Sequence, residues 1–251
     1  MDDKPPLLYH QATLELLHEH PYISEVAVED LDRLQRKRNI KLPASVREWY
    51  SLQQAVAWLD EYSNDDYAVP IDQLGEVERY WEAGHWHEID LAQQGLFPIL
   101  AENQYVCTWA IQLNGTDDPP VVVSFENTMP FAKWEPYAES FSTFVYTRVW
   151  DYQVIFSDST LWGNALFSPD ELHFLQTHFT AEPQTFTYPT PVTYRFSKGT
   201  QRVLLWCDGV QMPPQWFLSA ASKEEWVQLT QTVESCGTLA QSLPDFAPFE
   251  R

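Results

Sequence analysis

The chain is poor in cysteine, in basic residues and in long apolar runs, and each shortage removes a class of explanation. Three cysteines stand in 251 residues, at Cys107, Cys207 and Cys236. They are far apart, odd in number and set in or beside apolar stretches, so no disulfide framework is indicated. Reduced, buried thiols in a cytoplasmic protein are the expectation. A chain of this length buries about 70–75% of its unfolded surface and needs no covalent staple. No apolar stretch reaches the ~18 residues of a membrane-spanning helix. The start, Met1-Asp-Asp-Lys-Pro-Pro6, has no basic segment followed by an apolar run, so it does not read as a secretory signal. Eight glycines are scattered, and none forms the G-x-G-x-x-G or P-loop spacing that cradles phosphate. Repeats, heptads and low-complexity tracts are missing too.

Basic residues are the sharpest shortage. Fifteen Lys and Arg face 36 Asp and Glu, a formal net charge of −21. Such a chain repels nucleic acid and anionic lipid, and it attracts basic partners, speeding the encounter. Solubility alone also explains an acidic surface. What is abundant is apolar and aromatic: 44% hydrophobic residues and 11 tryptophans, which argue for a packed core.

Period-two alternation is clearest from Glu102 to Val123. Val106, Thr108, Ala110 and Gln112 alternate with Cys107, Trp109, Ile111 and Leu113. Asn114-Gly115 offers the positive φ of a reversal, and Val121 to Phe125 reads as the returning strand. Phe97 to Leu100 reads as the strand before them. Helical spacing is expected over residues 10–19, with Leu14, Leu17 and His18. A second helix is expected over Glu29 to Arg38, where Arg36-Lys37-Arg38 oppose the dipole rather than form a nucleic-acid patch. Pro43 suits the first turn of a third helix carrying Val46, Trp49 and Tyr50. Ser63 to Asp66 is a polar turn, followed by a loop-rich stretch to Leu96. Ser140 caps a helix with Phe141, Phe144, Val145 and Val149 as its stripe.

Beyond residue 158, Ser168-Pro-Asp-Glu171 and Ser222-Lys-Glu-Glu225 spell capping boxes. They open helices with Leu172, Leu175 and Phe179, and with Trp226, Leu229 and Val233, the latter closed by Gly237. Phe186 to Tyr188, Val192 to Phe196, Val203 to Trp206 and Trp216 to Ala220 read as extended, with a turn at Lys198-Gly199. The expectation is an α+β fold: an antiparallel sheet flanked by helices over residues 1–158, with a C-terminal α+β extension at 159–251 packed on it.

Three blocks resemble the SUKH superfamily, which joins fungal cell-wall-synthesis regulators to bacterial immunity proteins. They are Asn39-Ile-Lys-Leu-Pro-Ala-Ser-Val-Arg-Glu-Trp-Tyr50, the hairpin from Glu102 to Val123, and Ser140-Phe-Ser-Thr-Phe-Val145. Together they cover about residues 25–152. Two departures stand out. Ser51 to Ala57 lacks the family's glycine, and Tyr105 occupies the hairpin's usual glycine position.

Candidate chemistry is thin. His85-Trp-His87-Glu88 would chelate from one side of a strand, but no further metal-ligand spacing accompanies it, which favours solvated loop histidines. Cys107 beside Trp109 reads as an inert buried thiol. Asp65-Asp66 and Asp117-Asp118 suit turns, or the docking of a basic partner. Trp81, Trp86 and Trp134 suit core edges or interface anchors. No metal, cofactor or catalytic set is expected. The resemblance implies a noncatalytic protein-binding module, foremost an immunity protein that neutralises a basic toxin, possibly a nuclease. The alternative is a regulatory or scaffold protein with no toxin partner. The expected contact residues are Asp65, Asp66, Trp81, Glu82, Tyr105, Asp117 and Asp118.

Overall fold

In the computed structural model, residues 7–82, 84–104, 106–125, 133–157, 160–186, 192–206 and 214–234 are described. The chain is α+β and divides after Val149 into two units.

Four helices open the first unit: α1 (Gln11–Leu17), α2 (Glu25–Arg38), α3 (Ala44–Tyr50) and α4 (Ala55–Glu61). His18 does not extend α1; it ends the helix in the left-handed region at φ 56°. α2 begins four residues earlier than its apolar spacing suggests. Ser24 sets that start, its Oγ accepting the Ala27 N–H at 3.2 Å. Arg36, Lys37 and Arg38 fill the last turn of α2, where Lys37 and Arg38 pair with Glu76 at 2.8 and 3.2 Å. Pro43 stands one place outside α3, as its N-terminal cap, rather than in the first turn.

The strands that follow are β1 (Tyr67–Ala68), β2 (Glu78–Glu82), β3 (His85–Ile89), β4 (Leu96–Ala101), β5 (Thr108–Gln112), β6 (Val121–Ser124) and β7 (Glu135–Ala138), before helix α5 (Phe141–Ile155). Among the described residues β1-β4-β5-β6-β7 form one antiparallel sheet in that order. The stretch read as loop before Leu96 contains a separate β2–β3 hairpin. Gly84, at φ 85°, makes its reversal; a lone glycine between polar and aromatic residues gave little strand signal. β5 starts only at Thr108, because the Glu102 side chain folds the preceding residues into a turn. Gly115 turns the chain at φ 86° before β6.

The alternation in β5 sorts two cores. Trp109 and Ile111 join Phe97, Ile99, Val121 and Val123 against Trp49, Tyr50, Phe141, Phe144, Val145 and Val149 of the helices. Trp109 and Phe144 lie in this one core, with ring centroids 6.4 Å apart. Ala110 and Val122 face the other way, onto Leu91 and Leu96, with Ile89 and half-buried Trp134 beside them. Ser140 Oγ accepts the Thr143 N–H at 3.1 Å and so starts α5.

The second unit takes the last turns of α5 and then β8 (Leu161–Asn164), α6 (Pro169–His178), β9 (Thr180–Ala181), β10 (Thr185–Phe186), β11 (Val192–Lys198), β12 (Gln201–Trp206), β13 (Gln215–Ser219) and α7 (Lys223–Glu234). These strands make a sheet of their own, β10-β11-β12-β13-β8, with β9 also on β11. Its core holds Leu175, Phe179, Phe196, Val203, Trp216, Leu218, Trp226, Leu229 and Val233. The first capping box is complete: Ser168 accepts from Glu171 N–H at 3.2 Å, and Glu171 accepts from Ser168 N–H at 2.6 Å. The second is half made. Ser222 Oγ accepts the Glu225 N–H at 3.2 Å, while the Glu225 carboxylate accepts from the Thr200 and Ser222 hydroxyls instead of the Ser222 N–H. Tyr188, Cys207, Cys236 and Gly237 lie outside the described residues.

Candidate partner-binding face

Two polar loops meet where β4 hands over to β5. Asp60 accepts the Ala68 N–H at 2.9 Å, and Ser63 Oγ accepts the Asp66 N–H at 3.1 Å, which curls residues 60–67 into a fixed turn. Asp65 sits at its apex with φ 57°, a conformation aspartate tolerates better than most residues, and it is exposed. From the other loop, Asn103 donates its backbone N–H to Asp66 at 3.4 Å and its side-chain amide to Asn64 O at 2.5 Å. Glu102 accepts the N–H groups of Gln104 at 2.7 Å and Val106 at 3.3 Å.

Beneath both loops lies Arg148. Its guanidinium pairs with Asp66 and stands 4.9 Å over the Trp109 ring. Asp66 is buried, so its role is to join the two loops to α5 rather than to face solvent. Arg148 was missed by sequence reasoning. Its only signal was a charged residue four positions after Phe144, on the apolar stripe of a helix. The outer surface carries Glu61 and Asp65 as exposed carboxylates, with Tyr67 at 46% and Val106 at 45% exposure. Tyr67 is held by its hydroxyl, which donates to Gln73 Oε1 at 2.8 Å. Tyr105 lies outside the described residues.

The second acidic pair is at the opposite end of β5, roughly 16 Å away by strand rise. It divides in the same manner. Asp117 is exposed, with its carbonyl accepting the Ser45 N–H at 2.9 Å. Asp118 is half-buried and accepts from Ser142 N–H at 3.1 Å and Ser142 Oγ at 2.5 Å, in the first turn of α5. Burial, helped by Asp117, Asp118 and Glu48, raises the Tyr9 phenol above its ordinary pKa. Trp81 and Glu82 end β2, opposite Trp86 and His85, and their side chains are outside the described set. Asp65–Asp66 and Asp117–Asp118 therefore lie toward opposite ends of β5. Asp65 and Asp66 share a face with the loop that contains Tyr105; Asp117 and Asp118 do not.

His85 and His87 are exposed on β3, not in a loop. Among the described residues no group of His, Cys, Asp or Glu is arranged to hold a metal. Cys107 is buried in the first core. Among the described residues no helix is long and apolar enough to cross a membrane.

A family model, the SMI1 / KNR4 family (SUKH-1), matches residues 25–147. Those residues form a domain of the SUKH superfamily. The matched span runs from α2 into α5 and contains both polar loops and both acidic pairs. No curated protein and no solved structure matches the chain. At family level, SUKH membership supports an immunity- or regulatory-type module, a class that engages protein partners.

Proposed function

We propose that the SUKH domain is a noncatalytic immunity module that occupies a basic toxin, a nuclease being the chemistry that fits best. A nuclease surface that holds phosphates is cationic, and exposed carboxylates on fixed loops offer it a polyanion substitute. The observation that carries the reading is the loop face, where Glu61 and Asp65 flank exposed Tyr67 and Val106 over the Asp66–Arg148 pair. Fixed loops lose little freedom on binding, and a carboxylate rim around apolar contacts suits fast encounter with slow release. The net charge of −21 extends the same attraction over the whole molecule. Trp81, Glu82 and Tyr105 are proposed contacts of the same kind, and the cytoplasm is the proposed place of action.

The test is association kinetics with a basic toxin encoded beside this chain. Asp65→Asn with Asp117→Asn should lower the on-rate at low salt, while the midpoint of urea unfolding stays put. Affinity that is equal at low and high salt, or an acidic partner, would overturn the reading.

A further inference from the structure

A second patch of exposed apolar side chains lies far along the sequence from the loop face. Tyr22 is 60% exposed, Ile23 39% and Val26 68%. Three such side chains within five residues differ from the single apolar residues scattered on any surface. They sit on a fixed connection. Ser24 N–H donates to Ser51 O at 2.9 Å, Gln53 N–H donates to Tyr22 O at 3.0 Å, and Ile23 bridges to Leu52. Val26 occupies the second position of α2, where an acidic side chain would suit the helix better. Helix formation therefore does not account for it.

Acidic residues predominate around the patch, with Arg33 of the same helix engaged by Asp30. Residues 15–30 hold Glu15, Glu19, Glu25, Glu29 and Asp30 and no lysine or arginine. Asp30 pairs with Arg33 at 2.7 Å. Glu19, Glu25 and Glu29 are exposed, and among the described residues no cation pairs with them. An apolar centre inside a carboxylate rim selects against most occupants. A second copy would bring two acidic rims together within chains of charge −21, and nucleic acid or anionic lipid is repelled likewise. A basic protein segment with apolar side chains meets both parts of the patch.

We infer that Tyr22, Ile23 and Val26 form a docking surface for a basic protein segment that carries an apolar anchor. The inference rests on reading the SUKH domain as a protein-binding module and adds a contact surface apart from the loop face. Tyrosine is a favoured anchor in such settings, and an acidic rim raises the rate at which a cationic segment arrives.

The probe is a defined amphipathic lysine–leucine peptide titrated into the isotope-labelled full chain and followed by amide chemical shifts. Shifts should concentrate on residues 19–29. Val26→Asp separates the two forces. It adds a negative charge at an exposed, helix-compatible position, so attraction by charge alone would tighten binding. Loss of the apolar centre instead weakens it by about tenfold, and Tyr22→Ala should do the same. Circular dichroism checks that both variants keep the fold. Tighter or unchanged binding by Val26→Asp overturns the inference. So do shifts confined to residues 60–67 and 102–106, or spread evenly over acidic stretches, or absent. Dimerisation that Tyr22→Ala abolishes would overturn it too, by assigning the patch to a second copy. None of these results touches the toxin kinetics of Asp65→Asn with Asp117→Asn, so the two readings fail separately.

Discussion

Arg195 on β11 and Arg148 on α5 both end on an aspartate, yet their surroundings differ. Arg195 is 1% exposed and bonds Asp151 through two nitrogens, each at 2.6 Å. Thr185 Oγ1 and the carbonyls of Pro183 and Thr193 take its remaining donors at 3.0 to 3.4 Å. Every one of these partners belongs to the second unit. The arrangement is a saturated polar centre inside an apolar sheet, and its consequence is stability. Arg148 has fewer partners: Asp66 on one side, the Trp109 ring on another. Asp66 in turn holds Asn103. That pair joins two loops, and its consequence is the shape of a surface. The same two residue types thus serve packing in one unit and loop geometry in the other, depending on what else the guanidinium can reach.

The largest effect should come from Arg195→Ala. It leaves the half-buried Asp151 carboxylate without a countercharge and the donors' partners unpaired, and removing one partner of a largely buried pair costs about 3 kcal/mol. Hydrogen exchange at the β11 and β12 amides should accelerate accordingly. A change below about 1 kcal/mol would show that solvent at the half-buried Asp151 replaces the guanidinium, and the contrast with Arg148 would collapse.

Asp66→Asn should cost less, about 1–3 kcal/mol, since the amide keeps the shape and one acceptor oxygen of the carboxylate and Arg148 keeps its place over Trp109. Its signature is local: faster exchange at the Asn103 amide and a raised off-rate for a partner at the loop face. Global destabilisation with unchanged Asn103 exchange would make this pair a packing element like the other.

Ser168→Ala should cost about 1 kcal/mol, because both arms of its capping box are made. The same change at Ser222 should cost less, since the Glu225 carboxylate does not reach back to the Ser222 N–H and keeps its bond from Thr200. Equal midpoints in thermal unfolding for the two variants would refute that ranking.

The smallest effect at neutral pH belongs to His10. It is fully buried against Trp49 and Phe141, with Nε2 3.0 Å from Ser45 O. A carbonyl partner requires that nitrogen to carry the proton, which leaves Nδ1 as a neutral acceptor with no hydrogen-bond partner among the described residues. Burial lowers its pKa, against the opposing pull of Ser45 O, Glu48 and Asp118. The folded state therefore binds this proton more weakly than the unfolded state. The contribution is fully present above the unfolded value near 6.5 and is lost as pH falls through the lower folded value. Urea midpoints of the wild type should decline below about pH 6.5, and His10→Gln should flatten that decline. An equal slope in both proteins would remove His10 from the account.

Much of the first unit was legible in the sequence because its signals are local. The alternation through Trp109 and Ile111, the stripe from Phe141 to Val149 and the Asn114-Gly115 turn each rest on a few neighbouring residues, as does the Ser168 box in the second unit. The β2–β3 hairpin was not legible, since its residues alternate poorly and its turn depends on one glycine. The division of the acidic pairs was not legible either. Adjacent aspartates look alike in sequence, and only the approach of Asn103, Arg148 and Ser142 from distant segments engages Asp66 and Asp118 and leaves Asp65 and Asp117 exposed.

The sequence by itself determined the α+β class, the SUKH resemblance, the acidic character and the apolar faces that carry Trp109 and Phe144, because periodicity, composition and turn chemistry are short-range properties. The tertiary structure decided which carboxylates face solvent, that Arg148 braces the loop face, that the C-terminal strands form their own sheet, and that Tyr22, Ile23 and Val26 remain uncovered. Each of those depends on side chains tens of residues apart meeting in space, and no local pattern encodes which of them will meet.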